Sequence, residues 1–195
     1  NSHAHYDHAA GLAELKRSTK AKLMMSDADA ELLANGGLND PNFGDRFPME
    51  AVRADRTFRD GKQIKLGGVT MTANITPGHT RGCTTWTTEV KEKSLELTAI
   101  FVCSTSAPGY KLVGNEKYPT IYADYQRTFG RLERLKPDIF LGAHGGIYDL
   151  EGKIEALKQN PSRNPFIDPS GYREYLKRSK ASIEAAYRSQ GGSRG

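Results

Sequence analysis

The run His3-Ala4-His5-Tyr6-Asp7-His8 constrains this chain more than any other feature. It gathers three of the chain's five histidines and an aspartate into six residues, a concentration that packing alone has no use for. In an extended segment, residues two apart point the same way. His3 and His5 can therefore reach one metal ion together. Asp7 and His8 are neighbours and diverge from that pair unless the chain turns. A turn into a helix predicted over 9–18 supplies this and aims Asp7 and His8 at a second ion. Neutral imidazoles and a carboxylate are standard zinc donors.

The remaining histidines have similar surroundings. His79 lies in Thr76-Pro77-Gly78-His79-Thr80 and His144 in Gly142-Ala143-His144-Gly145-Gly146. Each follows an apolar segment that reads as a strand and sits at a glycine-bearing turn. The carboxyl ends of strands are where an α/β sheet presents functional groups. A lone histidine there is usually a satisfied polar residue. Beside the first run, both become candidate ligands, and no histidine is left over.

The coarse pattern is α/β and layered. We read helix 9–18 with Leu12 and Leu15 inward, a buried strand 21–25, and helix 27–35 capped by Ser26. A long loop rich in Gly, Pro, Asn and Asp follows at 36–49. Strands are predicted at 63–67, 69–75, 84–90 and 96–103. Helix 122–136 is ended by Pro137, strand 138–143 leads to His144, and a surface helix occupies 171–189. One domain spans 1–190 and a flexible tail 191–195.

The net charge of +5 raises the question of an acidic partner. Much of the excess lies after residue 170 (Arg173, Lys177, Arg178, Lys180, Arg188 and Arg194), as a solvated helix face does. No nucleic-acid or membrane partner is expected, and no apolar run is long enough to span a bilayer. The chain opens at Asn1 and enters its most demanding motif at its third residue. We expect further residues, including any signal peptide, upstream.

The chain resembles the metallo-β-lactamase superfamily, whose signature is His-x-His-x-Asp-His, and more narrowly the third subclass of the class B β-lactamases. The resemblance rests on His3 to His8 and on Thr76-Pro77-Gly78-His79-Thr80, Gly82-Cys83-Thr84-Thr85-Trp86 and Ser104-Thr105-Ser106. It extends through Gly109-Tyr110-Lys111-Leu112-Val113-Gly114-Asn115 and Asn164-Pro165-Phe166-Ile167-Asp168-Pro169. It implies an αβ/βα four-layer sandwich with two zinc ions at one edge, here without much of the N-terminal half. It assigns His3, His5 and His79 to the first zinc, and Asp7, His8 and His144 to the second. Ser104 stands where other subclasses place a cysteine ligand, and would help to hold a metal-bound water. Ser106 would contact the substrate carboxylate. The implied activity is hydrolysis of a β-lactam amide by a zinc-held hydroxide, which confers antibiotic resistance, in the periplasm or outside the cell.

Three rival readings remain: a thioesterase of the glyoxalase II type, a lactonase or nuclease, and a non-catalytic metal-binding fragment. Many relatives acting on thioesters, lactones or phosphodiesters carry an aspartate that bridges both metals, after a strand between the fourth and last histidines. Here that strand ends in Cys103-Ser104-Thr105-Ser106, and no acidic residue occurs from Leu97 to Asn115. Of the later acids, Asp124 and Glu133 read as a solvated helix face. Asp138 opens the next strand at the end away from His144. A hairpin folded about Lys93 would set Cys83 opposite Cys103 for a disulfide. A one-residue slip would break that register and leave two buried thiols.

Overall fold

The computed structural model describes residues 1–193. In chain order the elements are α1 (Tyr6–Ala9), α2 (Leu12–Thr19), β1 (Met24–Ser26), α3 (Asp27–Ala34), β2 (Arg56–Phe58), β3 (Gln63–Leu66), β4 (Val69–Ile75), β5 (Thr84–Glu92) and β6 (Leu95–Val102). Then come α4 (Ile121–Leu132), β7 (Ile139–Gly142), a 3-10 turn (Gly145–Ile147), α5 (Leu150–Gln159) and α6 (Pro169–Ser189). Strands β3 to β7 form one five-stranded sheet in sequence order, and β1 pairs with β2 in a small parallel sheet.

The alternation of side chains along β6 and β7 divides the core. Ile100, Val102 and Phe140 face α4 and α6, where they meet Leu132, Tyr172, Tyr175 and Leu176. Leu97, Ala99 and Ile139 face the other way, with Val90, Leu141 and Phe166 beside them. A third cluster (Ala4, Ala9, Met25 and Leu33) fastens the first residues of the chain to α3.

The sheet's directions place the site. β4 is antiparallel to β5, and β5 to β6, so two reversals leave β4 and β6 running the same way. β7 is parallel to β6. The carboxyl ends of β4, β6 and β7 therefore share one edge of the sheet. The N-terminal residues lie along that edge: Thr84 N donates to the Ser2 carbonyl at 2.8 Å, and the Trp86 indole donates to that of Asn1 at 3.3 Å.

Several expectations need correcting. The predicted helix 9–18 is two pieces: a single turn, α1, then α2 after Gly11. Leu12 packs inward, but Leu15 is 57% exposed: the buried face of α2 centres on Leu12 and Ala13, and Leu15 stands about 200° round the helix from Ala13. Ser26 does not cap α3 with its side chain. Its hydroxyl donates instead to the Gly82 carbonyl at 2.8 Å. Asp124 is buried, held by the Thr120 hydroxyl and paired with Arg127, not placed on a solvated face. Asp138 does open its strand at the far end, where it accepts from Thr98 N. Of the expected tail, Gly191 and Gly192 donate to the carbonyls of Arg188 and Tyr187, tying them to the end of α6. Residues 194–195 lie outside the described residues.

The hairpin is slipped by one residue from the expected register. Glu92 faces Leu95 and Trp86 faces Phe101, with Lys93 in a left-handed conformation at φ 57°. The disulfide between Cys83 and Cys103 nevertheless forms, with Cα atoms 5.9 Å apart. Both cysteines lie just beyond the ends of the paired strands, so the ladder's register does not bind them. Denatured, non-reduced protein should show no free thiols on titration. Cys83→Ser with Cys103→Ser should cost about 2–4 kcal/mol in urea unfolding. Two reactive thiols, or an unchanged midpoint, would remove the bridge from the account.

Candidate metal centre

All six sequence-predicted donors meet at the carboxyl edge. His3 and His5 come from the segment before α1, Asp7 and His8 from α1 itself, His79 from the turn after β4, and His144 from beyond β7. His3, His5 and His79 offer ring nitrogens within 4.8 Å of one another, and all three are buried. His3, Asp7 and His8 form a second such group, so the two donor sets adjoin. Asp7 Oδ2 lies 3.2 Å from His8 Nε2 and 3.4 Å from His144 Nε2, and the two Nε2 atoms are 2.9 Å apart. Donors about 2.0–2.1 Å from a tetrahedral zinc stand about 3.3 Å from each other, so this triangle has the right size. Asp7 and His144 are about half exposed. The first set is buried, and the second has two members open to solvent.

The hydrogen bonds around the buried set fix its tautomers. His79 Nδ1–H donates to the Ser106 carbonyl at 2.8 Å, leaving Nε2 as a lone pair. His5 Nε2–H donates to Asp40 Oδ2 at 3.2 Å, leaving Nδ1 as a lone pair. Those two lone pairs face each other at 3.1 Å. The Ser2 hydroxyl occupies His3 Nδ1 at 3.1 Å, and His3 Nε2 is buried with no hydrogen-bond partner among the described residues. Buried nitrogens that converge without protons repel one another, and a cation between them removes the conflict. The donor set therefore fits a zinc-type metal. Cys83 and Cys103 also lie near His3, but their disulfide removes them as ligands.

Two carboxylates that sequence reasoning passed over hold this arrangement. Asp29, at the first turn of α3, is 1% exposed. It accepts from Ala4 N at 3.2 Å, the Thr80 hydroxyl at 2.7 Å and Gly82 N at 2.7 Å, joining the histidine run to the turn that carries His79. Gly82 is required there, since a Cβ would lie 2.1 Å from the Ser26 hydroxyl oxygen. The second is Asp40 in the long loop. Tyr110 stands out in the sequence only as part of the motif from Gly109 to Asn115. It is buried against His79, with ring centroids 5.7 Å apart and its hydroxyl 3.3 Å from Nδ1.

Ser104 and Ser106 follow β6 with hydroxyl oxygens 3.1 Å apart. Together with His144 they line a groove of about 580 Å³ that also contains Arg178, Ser179 and Ser182 of α6. Among the described residues no carboxylate pairs with Arg178.

In metal-free protein, burial, reinforced by the neighbouring His5, pushes His79 down to about 4. Burial also pushes His3 well below its ordinary value. Unfolded imidazoles titrate near 6.5, so between the two values the unfolded chain binds more protons. Stability is then fully present above about pH 6.5 and lost as pH falls toward about 4. His79 alone accounts for about 3 kcal/mol of that loss. Melts of chelator-stripped protein should show a clear drop from about pH 7.5 to about pH 5. A flat profile would contradict the buried neutral imidazoles.

The profile of the metallo-beta-lactamase superfamily matches residues 1–144. The chain belongs to this superfamily. It is 39% identical to the native FEZ-1 metallo-β-lactamase from Legionella gormanii, covering 98% of this chain and 74% of that one, with a TM-score of 0.95. BJP-1, a subclass B3 metallo-β-lactamase of Bradyrhizobium japonicum, is 34% identical, with 97% and 72% covered and a TM-score of 0.91. A curated relative, the probable metallo-hydrolase YqgX of Bacillus subtilis (strain 168), is 21% identical over 165 residues, 85% of this chain and 74% of its own. The protein is thus a metallo-β-lactamase-fold hydrolase, most like the third subclass of the class B enzymes, with the α/β sandwich architecture that the signature implied.

Proposed function

We propose that this metallo-β-lactamase-fold hydrolase opens the amide of a β-lactam ring with two zinc ions, one held by His3, His5 and His79 and the other by Asp7, His8 and His144. The observation that carries the reading is the pairing of one buried and one open donor triad, with no carboxylate from Leu97 to Asn115 to bridge them. Zinc bound there supplies Lewis acidity and brings the pKa of its water near 7, so no serine nucleophile or separate general base is needed.

The chain's own groups do the rest. Asp7 leaves its exposed carboxylate at the mouth of the site, where it completes the open triad and can take a proton. Ser104, with its hydroxyl against that of Ser106, orients the attacking water. Ser106 donates to the substrate carboxylate, and Arg178, which has no carboxylate partner among the described residues, lines the same groove and favours an anionic ligand. A bridging aspartate would add negative charge between the two triads; with no acidic residue from Leu97 to Asn115, the site would be left less anionic and free to admit a substrate carboxylate. The disulfide supports residence in the periplasm or outside the cell, since such bonds persist in oxidising compartments. Among the described residues no helix is long and apolar enough to cross a membrane.

The test is a substrate panel on zinc-loaded protein. A cephalosporin and a carbapenem should be hydrolysed, with turnover abolished by a chelator and insensitive to serine-directed inhibitors. Ser104→Asp should insert the missing bridge and depress that turnover. Faster hydrolysis of lactones or glutathione thioesters would overturn the reading.

A further inference from the structure

Asp40 divides its two carboxylate oxygens between two tasks. Oδ1 accepts from the backbone N–H groups of Asn42 at 2.7 Å and Phe43 at 2.8 Å, folding the middle of the 36–49 loop. A short antiparallel bridge between Asp40 and Gly44 closes the same turn, at 3.2 and 2.9 Å. Oδ2 is left for His5 Nε2 at 3.2 Å, and both side chains are under one-tenth exposed. The carboxylate therefore cannot swing away from the imidazole without breaking the loop's turn, nor can the loop move without releasing the imidazole.

We propose that Asp40 is a positioning residue that holds His5 in the Nε2–H tautomer, so that Nδ1 is presented to the metal, and that it ties the 36–49 loop to that ligand. This rests on the proposed role of His5. The ring stands edge-on to Phe43, with centroids 5.2 Å apart, and can rotate little. Which nitrogen carries the proton is therefore decided by what faces Nε2. A carboxylate oxygen can only accept, so the proton stays there.

Asp40→Asn separates the two tasks. The amide keeps an oxygen for Asn42 and Phe43 but turns an NH2 group toward His5. Donor would then face donor, and the ring's proton moves to Nδ1, where it can bond to His79 Nε2 at 3.1 Å. That bond occupies both lone pairs meant for the metal.

Two measurements test this. In metal-free parent protein, the imidazole nitrogen spectrum of His5 should show the proton on Nε2, and in Asp40→Asn on Nδ1. Zinc affinity, by competition with a chromophoric chelator, should fall about 10–100-fold at one of two sites in the variant and stay unchanged at the other. A parent that takes up no zinc removes the metal reading and this one with it. A parent holding two zinc ions beside a variant holding both as tightly removes this one alone. A parent His5 protonated on Nδ1 overturns it whether or not the variant folds.

Discussion

His79→Ala is expected to lower kcat/KM for a cephalosporin at least about a thousand-fold, since a ligated metal contributes several kcal/mol to the transition state and each 1.36 kcal/mol is tenfold. The stability of the metal-free protein should change far less. The substitution does remove the bond to the Ser106 carbonyl and the packing against Tyr110. It also relieves the facing lone pairs of His5 and His79. These effects oppose each other and should leave a net change within about 2 kcal/mol. Steady-state kinetics beside urea unfolding of chelator-treated protein measures both. A variant within tenfold of the parent activity would show that His79 serves packing and not metal.

The second large effect is expected at Asp29, and it runs the other way, with stability lost first. Asp29→Ala strips acceptors from Ala4 N, Gly82 N and the Thr80 hydroxyl. Each buried donor left unsatisfied costs about 1–3 kcal/mol, so the three together cost about 3–9 kcal/mol; relief from burying the carboxylate offsets part of this, and a net loss of at least about 3 kcal/mol is expected, a large part of the 5–15 kcal/mol that holds a typical domain together. Zinc uptake should weaken as well, because the segment bearing His3 and His5 would no longer be pinned to the turn bearing His79. Asp29→Asn keeps one acceptor and should lose roughly half as much. Equilibrium unfolding of both variants checks this. A loss below about 1 kcal/mol in the alanine variant would mean that ordered water replaces the carboxylate.

What the sequence made legible, and what it hid, divides along physical lines. The six side chains that converge at the sheet's edge were readable as a group because three histidines and an aspartate in six residues have no competing structural use, and because His79 and His144 each follow an apolar strand. Asp29 and Asp40 were hidden because acids in a helix's first turn and in a polar loop are ordinary there. Nothing local says that one reaches Thr80 and the other His5. Helix α5 was missed for a different reason. Its buried anchor is Lys153, paired with Asp168 at 2.9 Å and lying among the rings of Phe140, Tyr148 and Phe166. A buried lysine interrupts the apolar stripe that betrays a helix. The three-residue β2 is too short to show any period. The register of the hairpin depended on Lys93 taking a left-handed turn conformation, where asparagine or glycine would have announced it.

A zinc titration of metal-free protein, with bound metal and β-lactam turnover recorded together, decides whether the two triads act as one dinuclear centre. Saturation is expected at two zinc ions per chain, with hydrolysis of the β-lactam reaching its maximum as the second is taken up. Saturation at a single ion, or two ions bound with no turnover of any β-lactam, would contradict the dinuclear reading.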